Sequence, residues 1–326
     1  MKKFNNVIKG TLILTTAGIL SKILGFFYRI YLSRCIGAAG MGLFQIVMPA
    51  AGIVFAICSS GIQTAISKFC CDKKNDFLWL ISGLLLSIPT SLILTFIVYT
   101  NADFIATRFI LNEACSSLLK ILSLSFPFAA FHNCINGFYF AKKKTAIPAF
   151  SQLFEQIIRF CAVYIYVTIY ASDGNASVLC AIYSNLFGEI ASFLYCTCAI
   201  FYTFIKSKYN NTHKKYSLMS KIREMFKFSF PLTANRLLMH IFQSAEAVLV
   251  PAQLIVYGLS KSDSVSIYGI LTGMAMPLIL FPTALTNSLA VMLLPAVSEL
   301  NLENNNKSIK STINKCITFC ISTGVL

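Results

Sequence analysis

The chain is 326 residues long, 56% hydrophobic and only 12% charged, with a mean hydropathy of +0.71. Soluble domains carry roughly 25% charged residues, so this composition excludes an ordinary water-soluble globule and points to a polytopic membrane protein. The formal charge of +15 invites a nucleic-acid partner, but the basic residues are dispersed over alternate loops, and no such partner is expected.

Long apolar runs recur along the chain. They predict spanning helices near 10–32, 43–66, 77–99, 118–140, 146–170, 177–205, 225–257 and 267–297, with a ninth opening at 317. Each full run reaches or exceeds the roughly 20 apolar residues that cross a bilayer. The fold class is therefore an all-α polytopic membrane protein. The first run has a basic start but no small-x-small cleavage site, and it continues to Leu32; it reads as a retained span. Pro49, Pro127, Pro231, Pro251, Pro277, Pro282 and Pro295 lie within spans, where each removes a backbone hydrogen bond and is expected to bend its helix.

The longest polar connector, KSKYNNTHKKYSLMSKIRE at 206–224, reads as a basic cytoplasmic linker. It divides the chain into a six-helix unit at 1–205 and the start of a second at 225–326, with spans 7 and 8 and part of span 9. Met48-Pro49 in span 2 answers Met276-Pro277 in span 8, a faint internal repeat of the kind transporter halves show. Only ten residues remain from Ile317, about half a crossing, so a truncated chain is expected.

The loops set the orientation. With the N-terminus cytoplasmic, inside segments hold Lys2, Lys3 and Lys9, then Lys68, Lys73 and Lys74, then Lys142, Lys143 and Lys144. They continue with Lys206, Lys208, Lys214, Lys215, Lys221, Arg223 and Lys227, then Lys307, Lys310 and Lys315, making 19. The opposite side holds four: Arg34, Arg108, Lys120 and Lys261. Such a bias follows the positive-inside rule and implies a multi-pass protein of the cell membrane, in contact with membrane lipids. The twelve cysteines show no zinc-ligand spacing and serve as small apolar filler.

Charges at bilayer depth cost about 2.5–3.5 kcal/mol each on insertion scales, so each needs a reason. In the stretch SKILGFFYR, Lys22 and Arg29 are seven residues apart and share a helix face. They are expected to line a water-filled cavity. In span 7, Arg236, His240 and Gln243 follow an i, i+4, i+7 spacing, with Glu246 at the edge of that face; these four are assigned to the same cavity. Glu155 and Arg159 are i, i+4 in the favourable acid-before-base order and read as a structural ion pair. Glu189 and His132 have no partner visible in the sequence. No P-loop, HExxH, GxSxG or TVGYG element is present, so an enzyme, a built-in ATPase and a potassium channel are not expected.

The stretch GTLILTTAGILSKILGFFYRIYLSRCIGAAGMGLFQIVMPAAGIVFAICSSGIQTAISK, together with FPLTANRLLMHIFQSAEAVLVPAQL and LLPAVSEL, resembles the stage V sporulation protein B-like proteins. These form a polysaccharide-export branch of the MOP (multidrug/oligosaccharidyl-lipid/polysaccharide) flippase superfamily. The resemblance implies a MATE-like helical bundle of two six-helix lobes, here one lobe plus a truncated second. It implies a central cavity lined by spans 1, 2, 7 and 8, and export of a polyprenyl-diphosphate-linked glycan of the lipid II type, for cell-wall or spore-cortex synthesis. Ser21-Lys22-Ile23-Leu24-Gly25-Phe26 is similar to the Ser-Arg-x-Leu-Gly-Phe motif of lipid II flippases, with Lys22 in the arginine's place. Arg29 is displaced by one position from a second cavity arginine, and span 2 lacks the acid of those proteins. No cofactor is expected beyond coupling to an ion gradient or the membrane potential, and a monomer is expected. The alternatives are a multidrug/cation antiporter of the same superfamily, which would rely on buried acids, and a non-transporting truncated remnant.

Overall fold

A computed structural model describes residues 2–70, 76–142, 144–170, 177–206, 218–280 and 306–325. Helix α1, Lys2–Phe55, runs through a π-helical turn, Ala56–Ser60, into α2, Gly61–Phe69. Then follow α3, Asp76–Thr100; the single turn α4, Ala102–Phe104; and a second π-helical turn, Ile105–Phe109. Helices α5, Cys115–Ser123, and α6, Phe126–Ala141, meet at an angle of 44°. Helices α7, Ala146–Tyr170, and α8, Leu179–Lys206, precede the long α9, Leu218–Val256. The described part closes with α10, Lys261–Gly269; a third π-helical turn, Ile270–Ala275; α11, Met276–Ile279; and α12, Asn306–Val325.

Among the described residues, five helices are long and apolar enough to cross a membrane, or six if the bent α5–α6 pair is one span. The first of these covers Thr16–Phe69, 54 residues. Straight, it would extend about 80 Å at 1.5 Å per residue, far beyond the roughly 30 Å hydrocarbon core. Gly37 resolves the mismatch. Its backbone leaves helical geometry at φ 69°, ψ −177°, a region open to glycine because it has no Cβ. Helix α1 is thereby two segments, matching the separate runs at 10–32 and 43–66.

The first segment packs on α7 and α8. Tyr31 lies against Phe160 at 5.4 Å between ring centroids, and the Tyr28 hydroxyl is 2.7 Å from that of Ser184. The second segment crosses α10 so closely that a Cβ on Gly42 would fall 2.1 Å from the Val265 carbonyl oxygen. At the other end of the bundle, Trp79 stacks on Phe69 at 4.5 Å, and Lys221 lies 4.7 Å above the Trp79 ring. Lys68 covers Phe228 at 3.9 Å. Cation–π contacts of this kind contribute about 0.5–2 kcal/mol and join α2, α3 and α9.

Two sequence boundaries are corrected. The linker expected over 206–224 is shorter, because α8 ends at Lys206 and α9 begins at Leu218; Lys221 and Arg223 are helical, and 207–217 lie outside the described residues. Span 4, expected as one helix over 118–140, breaks between Ser123 and Phe126, where Pro127 sits in the first turn of α6. Proline there needs no backbone donor and starts a helix. Span 8 is described only to Leu280, and its continuation to 297 lies outside the described residues.

Candidate substrate cavity

A cavity of about 420 Å³ opens between the first segment of α1, its second segment, α7 and α11. Lys22 and Arg29 line it from α1, with Gly25 and Phe26 between them. Gln45 and Met48 come from the second segment; Gln152, Gln156 and Arg159 come from α7; Pro277 and Leu280 close one side. Among the described residues, no carboxylate lines it. Among the described residues, neither Lys22 nor Arg29 has an acidic partner within 4.0 Å. The narrow α1 surface follows from Gly25: a Cβ there would meet only Gln156 Oε1, at 3.7 Å. The α7 wall follows from an i, i+4, i+7 stripe, Gln152, Gln156 and Arg159, which helical geometry aligns.

Arg159 differs from the other two cations because its charge is compensated. Its Nη2 lies 2.6 Å from Glu155 Oε1 and 3.0 Å from Glu189 Oε1. Behind it, His132 Nε2 lies 2.8 Å from Glu189 Oε2, and Ser192 Oγ donates to Glu155 Oε2 at 3.3 Å. Side-chain exposure falls from 19% at Arg159 to 9% at Glu189 and 7% at His132, so the chain of groups runs from the cavity wall into the bundle. The ligating atoms of His132, Glu155 and Glu189 lie within 4.8 Å of one another, close enough for a metal ion. Arg159 already supplies a cation to both carboxylates, so this geometry reads as a buried ionic network.

The structure brings Lys22 and Arg29 together and separates them from the span 7 group. Arg236, His240, Gln243 and Glu246 are absent from this cavity's lining. Arg236 Nη1 donates to the Ser60 carbonyl at 3.1 Å, an oxygen at the end of the first π-helical turn that also accepts from Thr64 at 3.2 Å. A π turn breaks the regular i→i+4 pattern, and α9 supplies a donor at that point. His240 Nδ1 is 3.0 Å from Gln243 Oε1, and its ring packs on α1 where Gly52 leaves room. Glu246 is exposed and has no ion pair among the described residues. Glu155 and Arg159 do form an ion pair, but it is part of a larger network, and Arg159 also faces the cavity. His132 and Glu189, unpartnered in the sequence, pair with each other. The α7 stripe was visible in SQLFEQIIR as polar residues at helical spacing; the ion pair within it drew the reading to itself.

The fold and the cavity define a multi-pass α-helical membrane protein with the architecture of MATE-type members of the MOP superfamily. The chain superposes on a crystal structure of MATE in complex with Br-NRF with a TM-score of 0.62, at 14% identity, covering 98% of this chain and 74% of that one. A MOP superfamily transporter from Pyrococcus furiosus, described as having a binding pocket of reverse polarity, gives 0.61 at 14% identity, over 99% and 72%.

The polysaccharide biosynthesis protein family matches residues 7–301, and the chain belongs to that family. It is 27% identical to the stage V sporulation protein B of Bacillus subtilis, over 97% of this chain and 63% of that protein. It is 23% identical to the lipid II flippase MurJ of the same organism, over 95% and 61%. The chain thus spans somewhat under two thirds of the length of these two relatives.

Proposed function

We propose that the chain serves a flippase that carries a polyprenyl-diphosphate-linked oligosaccharide or peptidoglycan precursor of the lipid II type across the cell membrane by alternating access. The observation that carries this reading is the pair Lys22 and Arg29, which among the described residues have no acidic partner and line a cavity with no carboxylate. A diphosphate joining a lipid to a sugar carries one negative charge on each phosphate. Charge-assisted bonds from Lys and Arg to phosphate oxygens are shorter and stronger than neutral ones. The cations therefore offset the cost of bringing the headgroup to bilayer depth, while the polyprenyl chain remains in lipid. The family match and the likeness to the lipid II flippase support the same class of cargo.

The antiporter reading needs buried carboxylates free to exchange a cation. Glu155 and Glu189 are both held by Arg159, which disfavours it. The test is flipping of a labelled lipid II analogue in proteoliposomes containing the purified protein. Lys22→Ala and Arg29→Ala are expected to abolish transport at normal expression. Lys22→Arg is expected to keep a large part of it, because arginine retains the charge and adds a fork suited to phosphate. Full transport in both alanine variants would remove the cation pair from the mechanism.

A further inference from the structure

We propose that Gln152 and Gln156 of α7 form the subsite for the sugar attached directly to the diphosphate. This rests on the diphosphate reading above and adds to it the element that selects the glycan. Lys22 and Arg29 are seven residues apart on α1, and Gly25 lies between them. Gln156 Oε1 reaches over that glycine, 3.7 Å from the position its Cβ would occupy. An uncharged amide therefore sits beside the α1 wall at a position between the two cations in sequence. Gln152 stands one turn earlier on the same α7 face and lines the same cavity.

The chemistry of the two walls differs. The α1 wall offers fixed positive charge, which suits phosphate oxygens. The α7 glutamines each offer two N–H donors and a carbonyl acceptor. Sugar hydroxyl and acetamido groups need both donors and acceptors, and an amide meets them without adding charge. Among the described residues, neither Gln152 nor Gln156 hydrogen-bonds to another protein group. Gln45 is unlike them, because its Nε2 is already committed to the Thr272 carbonyl at 2.8 Å. Two uncommitted amides lining a cavity are what a polar, neutral ligand group requires, since a site built to pair with hydroxyls rejects a ligand that lacks them. Phe26, on the same lining, offers an apolar face for the ring C–H groups. Arg159 ends the stripe, but its guanidinium is engaged by Glu155 and Glu189, so the α7 wall adds little net charge.

The test measures binding to the purified protein in nanodiscs with two probes: undecaprenyl diphosphate, and undecaprenyl-diphosphate-linked N-acetylglucosamine. The unmodified protein is expected to bind the sugar-bearing lipid about tenfold more tightly, the worth of one or two net hydrogen bonds. In Gln152→Leu/Gln156→Leu that ratio should fall to near one, with affinity for the bare diphosphate unchanged. Lys22→Ala should weaken both probes equally. The double alanine variant repeats the measurement without added apolar bulk. A preference that survives in both glutamine variants, or its absence from the unmodified protein, would overturn the subsite and leave the diphosphate reading standing. Saturable binding of neither probe would overturn both.

Discussion

His132 Nε2 lies 2.8 Å from Glu189 Oε2, although 57 positions separate them in the chain. The contact joins α6 to α8, and Arg159 extends it to α7. Three helices are thus tied by one buried ionic network. Each carboxylate there is stable only while its partners remain.

Removing Arg159 should therefore cost more than an ordinary surface pair. Arg159→Ala leaves Glu155 and Glu189 facing each other without their shared cation. Breaking a buried pair from one side destabilises by about 3–5 kcal/mol, so the yield of monodisperse protein should fall sharply. Arg159→Met combined with Glu155→Gln and Glu189→Gln should restore it, because no buried charge is then left unpaired. Gly188→Ala perturbs the same network by volume alone: a Cβ there would sit 2.6 Å from Arg159 Cγ and 2.8 Å from its Nε. Its melting temperature should drop, while that of Gly25→Ala, with a nearest contact of 3.7 Å, should stay close to the parent. Equal melting temperatures for the two glycine variants would contradict the packing described.

The span 7 arginine is expected to act on the backbone. Arg236 donates to the Ser60 carbonyl at 3.1 Å, and Gln45 donates in a comparable way to Thr272 in the third π-helical turn at 2.8 Å. These two irregular turns thus each have a carbonyl that accepts from a side chain of another helix. Arg236→Gln keeps a side-chain donor and should preserve most stability, whereas Arg236→Leu should lower the melting temperature. Glu246→Ala should not rescue Arg236→Leu, since Glu246 has no ion pair among the described residues. Rescue by Glu246→Ala would show that the two residues are coupled after all.

Much of the fold was legible because bilayer thickness fixes element length. The run at 77–99 became Asp76–Thr100, 146–170 became Ala146–Tyr170, and 177–205 became Leu179–Lys206. The misreadings fall where hydropathy carries no local signal. The polar 206–224 stretch hid the first turns of α9, because Lys221 is drawn inward by Trp79. In the cavity, Lys22 and Arg29 were legible as charges in an apolar run with no local partner. Arg159 was half legible: its neighbour Glu155 is one turn away, but Glu189 is 30 positions on. The span 7 stripe was a true helical face, but a face does not state what it meets. Arg236 meets a π-turn carbonyl, a feature of backbone irregularity that side-chain periodicity does not encode.

Outside the spans, Asp103 marks a pH-dependent contact. Its carboxylate accepts from Lys120 Nζ at 2.8 Å and from the Ser116 hydroxyl. These bonds, Lys120 first, hold its pKa below the usual carboxylate value. The folded pKa is depressed, so the contribution is present above the unfolded pKa, near 3.9, and is lost as pH falls through the lower folded value. The pair is exposed, so its effect should be small and screened by salt. Asp103→Asn should leave the melting temperature almost unchanged at neutral pH in high salt. At low salt it should remove a slight loss of stability on acidification below about pH 4. A large destabilisation at neutral pH and high salt would mean that Asp103 does more than accept from Lys120 and Ser116.

Orientation is the last expectation, and α9 makes it testable within one helix. Helix α9 has 39 residues, about 58 Å at 1.5 Å per residue, so its ends lie on opposite sides of a hydrocarbon core of about 30 Å. Ser220 is exposed near its start, and Ser260 is exposed just beyond its end. The 19-to-4 distribution of basic residues predicts the start inside and the end outside. In a background with Cys161 and Cys198, the exposed native thiols among the described residues, changed to serine, Ser260→Cys should react with a membrane-impermeant maleimide in intact cells. Ser220→Cys should react only after the cells are opened. The positive-inside argument rests on the cost of moving Lys and Arg outward during insertion, and the basic cluster at Lys214, Lys215, Lys221 and Arg223 contributes most to it. Replacing those four by glutamine should therefore weaken the labelling contrast before any other loop does. The reverse pattern in the parent, Ser220→Cys labelled and Ser260→Cys protected, would invert the orientation. It would also place the linker and its basic residues on the outer face.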